Sequence, residues 1–487
     1  MSAGSHTCLS AFDDEVRMTP LRRRALMTIA LGEFVDGYDL IVISAALLQL
    51  QHHFHLGKGQ LGWLSAAAFF GSAVGALFFG NLTDRVGRRR VFVLNLVAFV
   101  GLALLSAAVT QVWMLFVIRI LIGVAIGADI VASIAFLAEL SPSGSRGSWA
   151  GALPQLTWSL GAMCAILLAA ALISLMGAEA WRVMFAAGAV PAVVVLGLRR
   201  SLPDSPRWLL AQGRVGEALA VFEQFGLKVV DQSRLTRSVR SLEINGGGYD
   251  GRSVRRLEPY RRIFAPPLRG AAVFAILMIG LIPLNGIGQS VLGPYVLHEF
   301  GHLSETGAVL GGAVIWVGAI LGSLLAFRVL DRIGRIRSVI WALVGFVAVY
   351  VPMATVAANT VALVPLYCLL GVVTWFGASA CWPLPSELLP TAIRGRAQGL
   401  GSGLQRVSIG VNVLIFPHLL VGIGFRATVL LAAGISIAFI PYAMWGRRYE
   451  PAGKSIELAS GDQPLDLPYE LGPAADSPAS GIIPTMT

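Results

Sequence analysis

Twelve stretches of this chain are each about 20 or more residues long and dominated by apolar side chains, and no other feature restricts the possible folds as tightly. They run over 25–50, 60–80, 91–110, 112–138, 149–175, 181–199, 270–295, 307–327, 338–357, 360–382, 397–422 and 425–445. About 20 such residues cross a bilayer as a helix. In lipid every backbone N–H and C=O must be bonded internally, so the runs imply helices rather than open strands. The expected fold is an all-α membrane protein with twelve transmembrane helices. Only 13% of the residues are charged, about half the fraction of a soluble protein. The first run, about 26 residues, is too long for the apolar core of a cleaved leader and is read as a retained span.

The polar remainder divides into residues 1–24, a linker at 200–269 between spans six and seven, and a tail at 446–487. The tail is rich in Pro, Asp and Ser and reads as disordered. The two six-span bundles then cover 25–199 and 270–445. A net charge of +10 could point to nucleic acid, but its placement says otherwise. The loops on one side hold only Lys58, Arg182 and Arg426. Arg119 and Arg406 lie within spans, and the rest of the 37 Lys and Arg fall on the side that includes both termini. By the positive-inside rule that side is cytoplasmic. The basic excess is topological, no nucleic-acid partner is implied, and nothing calls for an oligomer. An Ala- and Gly-rich chain with compact outer loops suits a bacterial inner membrane. The four cysteines have neither metal spacing nor a paired framework.

The two halves repeat. "DRVGR" at Asp84 returns as "DRIGR" at Asp331, 247 residues on. Gly71 and Gly75 in span two return as Gly318 and Gly322 in span eight at the same offset. "ELSPSGSRG" at Glu139 returns as "ELLPTAIRG" at Glu387, and Gly151 as Gly399, both 248 residues on. Parallel repeats of six spans are a transporter architecture, with the binding site between them near the midplane. Gly87 and Gly334 allow the tight turn inside each DRxGR, and the GxxxG pairs allow close helix packing.

On these motifs the chain resembles the major facilitator superfamily over about residues 20–450. "GNLTDRVGRRR" resembles that family's signature between spans two and three. "SLPDSPRWLL", the two ELxPxxxRG blocks, Gln155 and Gly161 resemble the sugar-porter group. "DGYDL" in span one resembles the metabolite and aromatic-acid proton symporters instead. Span seven has Ile282-Pro283 where sugar porters usually show two glutamines. The resemblance implies a cytoplasmic latch made by Asp84, Arg88, Glu139, Arg146, Asp331, Arg335, Glu387 and Arg394. Topology alone needs no acids at fixed spacing in these loops.

Span one carries Glu33, Asp36 and Asp39, about 12, 17 and 21 Å into the membrane by helical rise. Insertion of one central acid costs about 2.5–3.5 kcal/mol. Three facing lipid would be prohibitive, so they are expected to line a water-filled cavity. A carboxyl there can load a proton on one side and release it on the other. Asp36 and Asp39 are the proton-coupling candidates, the alternative being permanent pairing with an arginine; Glu33 is read as a structural partner. Arg406, at mid-depth in span eleven, either binds a substrate carboxylate through its planar fork or neutralises a span-one acid. Gln155, Asn285, Gln289, Gln405, Asn412 and Trp382 are further candidate substrate contacts, with Trp158, Trp316 and Trp375 as aromatic walls. His52, His53 and His55 read as a solvated loop.

No phosphate-binding GxxxxGK[ST] occurs and the apolar spans hold no HExxH pair or GxSxG elbow, so neither ATP-driven pumping nor an embedded enzyme is indicated, and no cofactor or metal is implied. The expectation is a proton-coupled secondary transporter of a small polar metabolite, working by alternating access. An aromatic or other organic acid is favoured as substrate. A sugar is the alternative, as is efflux of a small organic molecule, and a transporter-like sensor is the reading from a different class.

Overall fold

The computed structural model describes residues 18–200, 202–225, 227–229, 258–285, 293–294, 304–356, 360–390, 393–454, 459 and 469–471. Within them the chain forms twelve membrane-crossing helical segments in two groups of six. The first half holds Pro20–Phe54, Lys58–Val86, Arg88–Ala107, Val112–Leu140, Leu153–Met176 and the pair Ala180–Ala187 with Ala189–Arg199. The second holds Arg269–Leu281, Glu305–Ile333, Arg335–Thr355, Thr360–Cys381, Arg394–Gly422 and Gly424–Trp445. These are called spans one to twelve.

Local chemistry sets the helix ends. Thr19 caps span one by accepting from the Arg22 N–H, and Pro20 occupies the first turn, where its missing N–H costs nothing. Gly87 and Gly334 join spans two to three and eight to nine, both at φ +95°, a conformation that L side chains rarely adopt. Span six is interrupted at Gly188. Span seven stops being α-helical at Leu281 and continues as a 3₁₀ turn, Ile282–Asn285, because Pro283 removes an N–H and its ring crowds the preceding turn. The expected continuous helix to residue 295 is therefore broken, and the rest of that run lies outside the described residues apart from Gly293 and Pro294.

The GxxxG repeats do the same work twice. A Cβ on Gly71 or Gly75 would overlap the carbonyl oxygens of Ile120 or Val124 in span four. A Cβ on Gly318 or Gly322 would overlap those of Cys368 or Val372 in span ten. Backbones this close gain dispersion that larger residues would block. Spans three, six, nine and twelve turn large apolar side chains outward, among them Leu94, Val190, Trp341 and Ile437. Span one is buried along almost all of Ala25–Leu50. Outer helices thus face lipid, while the acid-bearing helix runs inside.

Away from the spans, Pro206–Ala211 and Val215–Gln224 are short helices in the linker. In the segment read as a disordered tail, Gly446–Tyr449 is a 3₁₀ turn, and Tyr469–Leu471 pairs antiparallel with Leu227–Val229 of the linker.

The close contacts make a prediction. Gly318→Val forces a side chain into the Cys368 carbonyl and should cost about 1–3 kcal/mol, seen as a lower melting temperature of the purified protein. Gly101→Val, whose Cβ would meet nothing within 4 Å, should leave the melt unchanged.

Candidate functional site

Span one is held against span five by two glycines. A Cβ on Gly37 would overlap the Trp158 carbonyl, and one on Gly161 the Phe34 carbonyl. That register fixes where the three acids point. Residues three apart on a helix drift by about 60°, so Asp39 is turned about 120° from Glu33. The drift splits the cluster.

Asp39 turns to span four. Its Oδ1 accepts from Arg119 Nη1 at 3.1 Å, the same nitrogen stands 3.0 Å from Oδ2 as an ion pair, and Arg119 Nη2 donates to the Asp39 carbonyl at 2.9 Å. Arg119 is fully buried and packs over the Phe185 ring. The alternative reading, that one of the acids is arginine-paired, describes this conformation for Asp39.

A second buried pair joins spans four and six. Arg199 forks onto Asp129, and its Nη2 also donates to the Ile29 carbonyl at 2.6 Å and to Ser133 Oγ at 3.1 Å. Asn95 and Ser133 donate to the same carboxylate at 3.0 and 3.1 Å, and the guanidinium stacks over Phe92. Gly32 has no side chain because Arg199 and Asp129 occupy that space. The sequence ends span six at Arg199 and tallies its charge with the basic loops. The structure extends the helix through it and buries the charge.

Glu33 and Asp36 have no such partner. Both carboxylate oxygens of Glu33 and Oδ2 of Asp36 are buried without a hydrogen bond among the described residues. Arg406 of span eleven lies within electrostatic range of both. Its own Nε and Nη2 are also unbonded, and it sits over the Trp382 ring at 5.9 Å. Arg406 lines a cavity of about 50 Å³ between the halves with Ile41, Gln155, Trp158, Trp316, Trp382 and Gln405. Trp382 Nε1 and Gln405 Oε1 are buried and unbonded too. Three rings, Trp158 from the first half and Trp316 and Trp375 from the second, pack at centroid distances of 5.0–5.7 Å beside it. Behind Trp382, Gln398 donates to its carbonyl at 3.3 Å and accepts from Ser386 Oγ at 2.9 Å, which holds the loop in place.

The expectation of carboxylates lining a water-filled cavity needs correction. Glu33, Asp36 and Asp39 are at most 3% exposed, and none lines the cavity, which Arg406 reaches instead. Asp39 is held by Arg119, while Glu33 and Asp36 are packed between the helices within electrostatic range of Arg406. Asn285 is buried but does not line the cavity either; its carbonyl accepts from the Tyr350 hydroxyl. Asn412 donates to the Leu284 carbonyl at 3.1 Å, on the far side of the 3₁₀ turn. Gln289 lies outside the described residues. Gln155, Trp382 and Arg406 are brought together, on spans from both halves.

At the basic-loop end the halves meet through the motif residues. Arg394 bonds Glu139 at 3.2 Å across the halves. Asp331 accepts from the Gly147 and Ser148 N–H groups at 2.7 and 2.9 Å, where span five begins as a π turn, Gly147–Ala152. Arg335 bonds Asp331 at 3.0 Å and Glu387 at 3.1 Å. Arg146 donates to the Lys454 carbonyl at 3.2 Å. Gly80 meets Gly395, and Gly399 meets Ala76, backbone to backbone. The side chains of Asp84 and Arg88 lie outside the described residues. Two residues that motif reading misses act as equivalent caps. Asp204 accepts from the Arg89 N–H at 3.0 Å, and Glu450 from those of Arg335 and Ile336 at 2.8 and 2.9 Å. They stand 246 residues apart, one short of the offset between the DRxGR motifs.

Comparison with known proteins fits this geometry. Residues 25–460 match the family model described as "Sugar (and other) transporter". The chain is 29% identical over 458 residues to the glucose transporter GlcP of Staphylococcus epidermidis, covering 91% of this chain and 95% of that one. It is 27% identical over 448 residues to a D-xylose transporter of Levilactobacillus brevis, covering 88% and 93%. Among solved structures, the proton:xylose symporter XylE of E. coli, bound to 6-bromo-6-deoxy-D-glucose, superposes with a TM-score of 0.76 at 21% identity, over 90% of this chain and 98% of that one.

Two predictions follow from the pairs. Arg199→Gln leaves Asp129 buried without its cation and should cost about 3–5 kcal/mol. The double variant Asp129→Asn/Arg199→Gln should recover part of that in a thermal melt. Asp331→Asn weakens three contacts at the basic-loop end. In a background without native cysteines it should speed maleimide labelling of a cysteine replacing Ser379, which packs against Gly151 across the halves.

Proposed function

The chain belongs to the sugar (and other) transporter family, and from that premise we propose that it carries a sugar-like substrate together with a proton by alternating access. Of the two substrate classes raised by the sequence, the sugar is the better supported and the aromatic or other organic acid gives way. The relatives matched over nearly their whole lengths are named for glucose and xylose. The chemistry of the cavity lining, though not its size in this conformation, suits such a ligand. Indole faces pack against the C–H faces of a sugar ring, while amides such as Gln155 and Gln405 bond hydroxyls.

The observation that carries the coupling is the Asp39–Arg119 pair, at most 2% exposed and one helix away from the cavity. A buried carboxylate stays ionised only while its cation is present. A proton arriving at Asp39 would release Arg119 and loosen spans one and four against each other. Loss of the proton on the other side would restore the pair. Asp36 belongs to the neighbouring cluster around Arg406 and is the other coupling candidate. The basic-loop end is assigned to the cytoplasm by the positive-inside rule. There Glu139–Arg394 and Asp331 with the start of span five act as the latch, which must open to release substrate.

In proteoliposomes with an imposed proton gradient, the wild-type protein should accumulate D-glucose or D-xylose. Asp39→Asn should abolish accumulation yet spare counterflow exchange, which needs no net proton movement. Accumulation by Asp39→Asn with wild-type pH dependence would reject the coupling role. Absence of gradient-driven uptake of neutral sugars and of sugar acids alike would reject the transport reading.

A further inference from the structure

The arginine in the central cavity is the feature that a neutral sugar does not explain. Arg406 is buried, lines the cavity and has two nitrogens without a hydrogen bond. The acids nearest to it, Glu33 and Asp36, approach electrostatically but make no hydrogen bond to it. A guanidinium in a dry interior normally takes a bidentate carboxylate. Here the fork is left open toward the space where a ligand would sit, beside the unbonded Trp382 N–H and Gln405 carbonyl.

Counting charges sharpens the point. The deeply placed acids of the first half are Glu33, Asp36, Asp39 and Asp129, and the buried arginines facing them are Arg119, Arg199 and Arg406. Asp39–Arg119 and Asp129–Arg199 are complete pairs. What remains is two carboxyls around one guanidinium. The charged groups that reach Glu33 and Asp36 are Arg406 from span eleven and the already mated Asp129 and Arg199 from spans four and six. That cluster is neutral only with one proton shared between Glu33 and Asp36.

From these observations we infer that Arg406 is a carboxylate-exchange site and that the substrate is a sugar acid, a polyhydroxylated molecule bearing one carboxylate, rather than a neutral sugar. This rests on the sugar-transporter reading and narrows it. The substrate carboxylate bonds the Arg406 fork and displaces the electrostatic hold of the remaining Glu33 or Asp36 carboxylate. That carboxylate, losing its counter-ion, takes a proton from solvent, so the cluster stays neutral. Hydroxyls bond Gln155, Gln405 and the Trp382 N–H, and the tryptophans cover the ring. No covalent bond changes; one proton and one anion enter together.

The test uses the full-length protein in lipid nanodiscs, with tryptophan fluorescence and calorimetry as readouts. Probes are D-glucuronate and D-gluconate, with D-glucose as the neutral match and acetate as a bare carboxylate. The expected result is binding of at least one sugar acid about tenfold or more tighter than glucose. Acetate should bind more weakly still. Calorimetry in buffers of different ionisation heat should show uptake of about one proton per sugar acid bound. Arg406→Gln should collapse the preference for acid over neutral sugar, and Arg406→Lys, which keeps charge but loses the fork, should restore it in part. Wild-type protein that binds glucose as tightly as the acids overturns the inference and leaves the sugar reading standing. The comparison is within the wild type, so it holds even where a variant fails to fold. Binding of no probe, with no gradient-driven uptake, overturns both.

Discussion

A carboxylate inside a membrane protein must have either a cation or a proton, and the interior of this molecule is arranged around that requirement. Four acids and three arginines lie deep between the helices, and every one of those arginines approaches an acid on a different helix. Each pair therefore sets a helix-to-helix register. Asp39–Arg119 locks span one to span four, and Asp129–Arg199 locks span four to span six. Arg406 is the only one of the three that comes from the second half. The first half thereby neutralises Asp39 and Asp129 internally but not Glu33 and Asp36. Its residual charge faces the boundary along which the halves must move.

The repeat in the sequence and the asymmetry in the charge divide the labour. What is doubled is packing and closure. The GxxxG contacts pair spans two and four, then eight and ten, and the caps Asp204 and Glu450 serve equivalent turns. Two ELxPxxxRG blocks meet as Glu139 with Arg394. What is not doubled is the acid cluster of span one, whose counterpart region in span seven has Asn285 and a proline-broken helix. Symmetric scaffolding allows two end states of similar energy. An unpaired charge confined to one half gives the switch between them a chemical trigger.

The architecture was legible because hydrophobic length, glycine spacing and basic loops act locally and leave a linear trace. So were the motif residues that meet at the basic-loop end, since the motif repeats at a fixed offset. Pairings between helices were not. Three acids at i, i+3 and i+6 read as one face, yet the 60° drift per step sends Asp39 to Arg119 and leaves Glu33 and Asp36 near Arg406. Arg199 was not singled out as a membrane residue because the apolar run ends at its position, although a basic residue closing such a run can still reach inward. Only contact with span six shows which arginine Asp129 holds. The aromatic wall was visible as single tryptophans. Its character as a three-ring contact between Trp158, Trp316 and Trp375 needed the halves to be docked.

Cavity size ties these parts into a cycle. About 50 Å³ is far below the roughly 300 Å³ or more of a ligand pocket, so the space beside Arg406 admits little more than a water or two in this conformation. The basic-loop end is shut by backbone contacts at Gly80, Gly395 and Gly399 and by the bonds to Asp331. Opening the site to a sugar-sized ligand requires the halves to part on the other side, and Trp158 must then separate from Trp316 and Trp375. That movement carries Arg406 with the second half while Glu33 and Asp36 stay with the first. The distance between guanidinium and carboxyls, and with it the need for a proton or an anion between them, is thus tied directly to the rocking of the two bundles. On the proposed reading, proton, substrate and conformation need no long relay, because all three act at the boundary that Arg406 faces.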